Sequence, residues 1–503
     1  MPVPISSHVP EKFILFISIV FFVMILADIS LVQTGYIPSR INIISENNPV
    51  IWHDVLRYQQ GIDNILSVAR YHSLANFASA LQTIFSGITA IIIFFITGNK
   101  HKCWLVTGLF FIYMGINDGT NFYKPAGDTI RFLFNVNYIP LFNNMSLFSG
   151  LMTFFILYFF RHELKVMKLR KNIYIALICF TCSLLTDLLV SERTLSVIEN
   201  ITGLTNIKSL YYIFFIMYIL YISGNISLFY VFLKYLFNIL YNREVIFRLN
   251  KIDNGEKTDK MIEVYTEKLV VKIIYLCLII EIFLILLDIC TFALYIPVRT
   301  LRYICYMTYE CSFANFISSF YSFLTGLIAI IIFFMLRFDK AGKRRVTVWF
   351  ITGIFFIYIG LDDGVSFHEE ISYVLKPVCQ KYAVPFFNTL FEIYPSYYWQ
   401  FILGPFFSVM FLYLFYFLWY ELKGLSLKRY IFIALLCLAN ALFLDYILGS
   451  EQCILILQYK TGLLSYDLIR HCLKLAGESL ELLGIICFLY VFFKYLAHIL
   501  DNK

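Results

Sequence analysis

Long runs of apolar residues restrict what this chain can fold into more than any other feature of its sequence. A bilayer-spanning helix needs about 20 mostly apolar residues in succession, and by that measure about twelve such runs follow one another. They begin near Lys12, Leu74, Cys103, Met145, Asn172, Leu210, Leu269, Phe313, Val346, Gln400, Arg429 and Lys474. Inside hydrocarbon each segment has to satisfy its own backbone N–H and C=O groups, so these runs are expected to be helices. The composition is that of a bilayer-embedded chain, 60% hydrophobic and 15% charged, with a mean hydropathy of +0.76. The expected fold class is an all-α integral membrane protein with about 12 transmembrane helices. The first run is too long for a signal peptide and lacks the small-residue cleavage site, so it is expected to remain as an anchor.

The runs come in two matching sets. Gly-Ile-Thr-Ala-Ile-Ile-Ile-Phe-Phe from Gly87 returns as Gly-Leu-Ile-Ala-Ile-Ile-Ile-Phe-Phe from Gly326. Downstream, Ile175-Ala176-Leu177-Ile178-Cys179 matches Ile433-Ala434-Leu435-Leu436-Cys437, and Tyr230-Val231-Phe232-Leu233-Lys234-Tyr235-Leu236 matches Tyr490-Val491-Phe492-Phe493-Lys494-Tyr495-Leu496. Each copy is roughly 240 to 260 residues long, far beyond the period of a solenoid repeat. With an even number of spans per copy, the two are expected to be parallel six-helix repeats related by an axis along the membrane normal. The expected organisation is a first repeat over 1–241, a cytoplasmic linker over 242–268 and a second repeat over 269–503.

Basic residues gather in alternate loops: Lys100 and Lys102; Arg161, Lys165, Lys168, Arg170 and Lys171; the linker; Lys340, Lys343, Arg344 and Arg345; and Lys423, Lys428 and Arg429. Retention of positive charge on the inner side puts these loops and both termini in the cytoplasm. The expected location is a plasma membrane or bacterial inner membrane. The net charge of +7 follows from those loops, and without a soluble basic domain it does not indicate a nucleic-acid partner. The expected partners are the lipid bilayer and, beyond it, other membrane subunits or a second copy of the chain.

With this orientation, acids of the second half converge on the extracytoplasmic level. The ninth span ends in Gly360-Leu361-Asp362-Asp363-Gly364-Val365-Ser366-Phe367-His368-Glu369-Glu370. Asp288 lies near the outer end of the seventh span, Asp445 near that of the eleventh, and Glu478 with Glu481 in the first turns of the twelfth. Glu478 and Glu481 are three apart and share a helix face, as do Asp362 and Glu369 at seven apart. The first half has Asn117 for Asp362, Tyr123 for His368, Lys124 for Glu369, and Tyr218 and Tyr221 for the two glutamates. Ionisable side chains within spans cost about 2.5–3.5 kcal/mol or more near the bilayer centre and commonly mark ion pathways or buried sites. The first half is therefore expected to be a scaffold and the second the working half.

The second half resembles a group of uncharacterised bacterial membrane proteins of about six helices. The matching residues are Leu361, Asp362, Asp363, His368 and Glu369 at a helix end, Trp399, Gly404 and Pro405 opening a later helix, and Glu478-Ser479-Leu480-Glu481-Leu482-Leu483-Gly484 in the last. The resemblance covers roughly residues 346–496; the first half follows it only in its apolar framework. It brings no activity, but it ties the acids and the histidine of two helices into one pattern, which implies a shared site.

Three chemistries suit these residues. Carboxylates with an imidazole are ligands for a divalent transition metal such as iron, manganese or zinc. In that reading Asp362, His368, Glu369, Glu478 and Glu481 hold the metal, Asp288, Asp363 and Asp445 orient ligands or move protons, and His471 is a weaker extra ligand. The function would then be metal-dependent membrane chemistry. Clustered acids could instead couple a transporter to protons or cations, and a third reading is a structural subunit of a larger membrane complex. Cys305, Cys311, Cys379, Cys453 and Cys472 are expected in or beside outer loops, where an oxidising exterior would permit one or two disulfides. No phosphate-binding loop, dinucleotide motif, Gly-x-Ser-x-Gly elbow or His-Glu-x-x-His occurs, which argues against ATP-driven transport by this chain alone.

Overall fold

The computed structural model describes residues 74–97, 102–120, 170–190, 219–236, 257–293, 302, 305–308, 312–338, 343–365, 404–423, 425–461 and 465–501. Among these there is no strand; nearly all are helical, joined by short turns and a few irregular residues. The described residues fall into two compact units, one within Leu66–Gly255 and the other within Glu256–Lys503. The first contains α1 (Leu74–Ile96), α2 (Lys102–Thr120), α3 (Arg170–Val190) and α4 (Ile219–Leu236). The second contains α5 (Lys257–Ala293), α6 (Phe313–Phe338), α7 (Lys343–Val365), α8 (Gly404–Glu421), α9 (Lys428–Leu448), α10 (Glu451–Thr461) and α11 (Tyr466–Asp501). Six helices among the described residues are long and apolar enough to cross a membrane: α4, α5, α6, α7, α9 and α11.

Two boundaries differ from the sequence reading. Helix α5 begins at Lys257, so residues 257–268 of the expected linker are helical. Its Lys, Met and Glu residues are good helix formers, and the apolar run beyond gives them a helix to extend. Helix α11 begins at Tyr466, behind Ser465, whose Oγ accepts the Leu468 N–H at 3.3 Å. His471 and Cys472, expected before the last span, therefore lie inside it, and Glu478 and Glu481 sit about 18 to 22 Å along it at 1.5 Å per residue.

In the second unit α11 is the central helix and packs against α5, α6, α9 and α10. Small residues set the closest crossings. A Cβ built on Gly326 of α6 would lie 2.7 Å from the Gly353 carbonyl oxygen and 2.7 Å from the Ile357 nitrogen of α7, so the two backbones touch there. Buried hydroxyls serve their own helices: Ser319 donates to the Asn315 carbonyl at 2.9 Å, Thr325 to Tyr321 at 2.8 Å and Thr352 to Val348 at 2.8 Å. Such back-bonding lets small polar residues enter a helix interface without a partner across it.

Helix α5 shows how the interior is selected. Tyr275, Leu276, Ile279, Ile282, Phe283, Leu286 and Ile289 are exposed, whereas Val270, Cys277, Glu281, Leu284, Asp288 and Thr291 are buried. The buried set advances by three and four residues, one seam of a helix that is apolar nearly all round. The outer faces of α8 and α9 are likewise apolar, with Val409, Leu412, Tyr416, Phe432, Leu436 and Phe443 exposed. Contiguous apolar surface of this kind suits lipid contact.

Several contacts within the first unit resemble contacts within the second. Gly87 and Gly108 bring α1 and α2 into backbone contact, as Gly326 and Gly353 do for α6 and α7. Trp104 meets Phe232 edge-on at 5.4 Å and Tyr235 at 4.9 Å; Trp349 meets Phe492 edge-on at 5.3 Å and Tyr495 at 5.1 Å. Phe111 with Phe232 at 5.9 Å corresponds to Phe356 with Phe492 at 5.6 Å.

Candidate functional site

Trp349, Phe356 and Asp363 are spaced by seven residues and form one stripe along α7. The aromatic part of that stripe packs on α11, Trp349 against Phe492 and Tyr495, Phe356 against Phe488 and Phe492. Continued outward, the same contact brings the acid at the end of α7 toward Glu478 of α11. Asp362 and Glu478 both act electrostatically on Asp363, and Tyr358, one turn before, feels both aspartates. Asp362 is buried at 6% exposure, and Glu478 and Glu481 are half-buried.

Asp363 is held from two sides. The Gly360 backbone rests on α6, where a Cβ would come within 2.7 Å of the Ser319 oxygen. One turn beyond, Asn315 Nδ2 donates to the Asp363 carbonyl oxygen at 2.9 Å. Helix α6 itself starts on a cap, Ser312 Oγ accepting the Asn315 N–H at 3.0 Å. The Asp363 side chain is not satisfied in the same way: its Oδ2 is enclosed and has no hydrogen-bond partner among the described residues. In the first unit the matching acid, Asp118, accepts a hydrogen bond from the Tyr221 hydroxyl. Tyr221 occupies the sequence position of Glu481, so the second unit has a carboxylate where the first has a donor.

A second constellation lies where the C-terminal part of α5 meets the N-terminal part of α11. Asp288 is fully buried; its Oδ2 accepts the Met307 N–H at 2.7 Å, and its Oδ1 lies 2.6 Å from His471 Nε2. Phe292 stacks on the imidazole at 3.9 Å and 9°, and Tyr306 flanks it at 5.4 Å. Asp288 thus clamps the 305–308 segment to the beginning of α11. Burial pushes the Cys305 thiol beside it up from its ordinary range, and the Asp288 charge adds to this. Cys305, Cys453 and Cys472 are free thiols, Cys453 lies within α10 and Cys472 within α11, while Cys311 and Cys379 lie outside the described residues.

Of the residues expected at the site, then, Asp362 and Glu478 act electrostatically on Asp363, and Glu481 lies one turn farther along the same face of α11 as Glu478. Asp288 belongs to the His471 clamp. Asp445 of α9 approaches α11 where Gly477 has no side chain; a Cβ there would sit 3.8 Å from Asp445 Oδ1. His368 and Glu369 lie outside the described residues. Among the described residues no three His, Cys, Asp or Glu side chains stand at metal-ligand spacing.

Two interior carboxylates escaped the sequence reading. Glu281 is 5% exposed midway along the α5 span. Glu421, at the end of α8, accepts from the Tyr495 hydroxyl and from Trp349 Nε1, the latter at 3.4 Å, and so anchors the opposite end of the aromatic stripe. The available signal for Glu281 was its position seven residues before Asp288, which places both on one face.

A family model described as a domain of unknown function (DUF8692) matches residues 276–495. That stretch contains the C-terminal half of α5, α6 to α10 and most of α11, hence both constellations. No curated protein and no solved structure matches the chain.

Proposed function

We propose that this chain is a multi-pass membrane protein of two parallel six-helix repeats, with both termini cytoplasmic, whose second repeat binds a divalent transition metal near its extracytoplasmic end. The candidate ligands are Asp362, His368, Glu369, Glu478 and Glu481, with Asp363 beside them; no three of the described acids stand at metal-ligand spacing, so His368 and Glu369, just beyond α7 in sequence, are essential to the set. The duplication is supported by the paired glycine crossings and the paired Trp, Phe and Tyr contacts of the two units.

One observation carries the metal reading: an enclosed, unpartnered oxygen of Asp363 within the field of two further carboxylates. Removing one charge of this kind from water without a partner costs several kcal/mol, roughly, and like charges nearby add to it. A dication with oxygen and nitrogen preference offsets that cost. The first unit, with Tyr221 donating to Asp118, has no such deficit. Chemistry at the metal would be Lewis-acid or redox in type, facing the outer side of the membrane.

Metal analysis of the detergent-purified protein tests this. About one equivalent is expected in the wild type, with steep loss in Glu478→Gln and His368→Ala and full retention in Tyr221→Phe. A protein that takes up no metal in any preparation, or one that keeps a full equivalent in both site variants, overturns the reading; proton-driven uptake in liposomes would then identify a transporter.

A further inference from the structure

Glu281 is the one described carboxyl buried midway along a span with neither a hydrogen bond nor an ion pair among the described residues. It is 5% exposed and stands on the buried seam of α5, one turn beyond Cys277 and seven residues from Asp288. Groups from three other helices face it: Tyr321 of α6, Cys437 of α9 and Cys487 of α11 each interact electrostatically with it. Their company is polarisable and protic and, among the described residues, carries no cation. The Tyr321 hydroxyl, 4% exposed, has the Cys277 thiol beside it, a weak partner at most, and no other among the described residues.

Four helices thus converge on a carboxyl that packing alone does not require. An apolar side chain would fill the seam, as Leu284 does one turn along. A carboxyl enclosed in this way is electrically balanced by a proton, because among the described residues no lysine, arginine or histidine faces it and none form a metal-ligand group there. Glu281 and Asp288 share the α5 seam about 10 Å apart at 1.5 Å per residue, so the outer clamp and the interior acid lie along one line of the bundle.

We propose that Glu281 is a proton-binding site in the interior of the second unit, with Tyr321 as its hydroxyl neighbour, taking up and releasing a proton inside the membrane. The site is separate from the outer carboxylate cluster and does not depend on the metal there. Its chemistry is reversible protonation: the carboxylate oxygen gains the proton, and the charge it carried is neutralised.

Infrared difference spectroscopy of the full protein in lipid, with change of pH and exchange into deuterated water, reads this directly. The expected result is a carbonyl band of a protonated carboxylic acid that shifts on deuteration and gives way to carboxylate bands as pH rises. It should be lost in Glu281→Gln, moved in Glu281→Asp and kept in Glu478→Gln. A band unchanged in Glu281→Gln overturns the proposal, as does its absence from the wild type at every pH at which the protein stays folded. A band that neither exchanges with deuterium nor titrates would show a permanently neutral acid, which also overturns it. The Glu281→Asp variant retains a carboxyl, so its spectrum decides the matter if Glu281→Gln fails to fold. Loss of metal in Glu478→Gln with an intact band would separate this site from the metal site.

Discussion

Asp288→Ala should be among the most damaging single substitutions in the second unit, and its cost can be worked from two bonds. The Met307 N–H would lose its acceptor at a residue only 3% exposed, and a buried donor left unsatisfied costs about 1–3 kcal/mol. Loss of the His471 contact at 2.6 Å adds about 0.5–1.5 kcal/mol with a neutral imidazole and roughly 1.5–3 kcal/mol with a charged one. The sum is a destabilisation of about 2–4 kcal/mol with neutral histidine, a large share of a protein's net stability. Asp288→Asn keeps a carbonyl oxygen for Met307 and should recover about 1–2 kcal/mol of the loss. Equilibrium unfolding in mixed micelles with increasing denaturing detergent measures each variant. Combined with His471→Ala in a double-mutant cycle, it should give a coupling of about 0.5–1.5 kcal/mol between the two side chains. An Asp288→Ala protein within about 0.5 kcal/mol of wild type, or single variants that simply add, would refute the clamp.

The helix crossings make a second test: Gly326→Ala places a methyl 2.7 Å from two backbone atoms and should destabilise by about 1–3 kcal/mol, whereas Gly404→Ala, with nothing within 4 Å, should not, both read by the same unfolding assay. In the first unit Tyr221→Phe removes the hydrogen bond to Asp118 and should cost about 1–2 kcal/mol with metal content unchanged, while Glu481→Gln should lower metal content with little change in unfolding. The charge distribution gives a topology test: a thiol introduced at Gly255 in an otherwise thiol-free chain should stay unlabelled by an impermeant reagent in intact cells, and labelling there would reverse the orientation.

Much of the fold is legible residue by residue in the sequence. The runs from Phe313, Val346 and Arg429 are helices of membrane length, and the matching of Gly87 with Gly326 corresponds to equivalent close crossings of α1 on α2 and α6 on α7. Boundaries are less legible: the run from Leu269 belongs to a helix that starts at Lys257, because charged residues with good helix propensity continue a helix out of the apolar zone without any hydrophobic signal. At the site, Asp362, Asp363 and Glu478 were identifiable as acids at helix ends, and Asp362 and Glu478 both act electrostatically on Asp363, while no three of the described acids stand at metal-ligand spacing. His471 read as a weak ligand, yet it is bound to Asp288, a residue 183 positions away in sequence.

Hydrophobicity alone determined that this chain enters a membrane as helices, since about 20 apolar residues in a row have no other stable solution in lipid. What it left open is which way each helix faces. Lipid and a packed helix bundle are equally apolar, so the Leu, Ile and Phe on every side of a helix such as α5 carry no hydrophobic period that tells its buried seam from its outer surface, and only sparse polar residues such as Glu281 and Asp288 mark it. Only the packing of α6, α9 and α11 turns Glu281 inward, sets Asp288 against His471 and Met307, and leaves an oxygen of Asp363 enclosed without a partner. Those meetings are contacts between residues far apart in the chain, and the three-dimensional packing decided them.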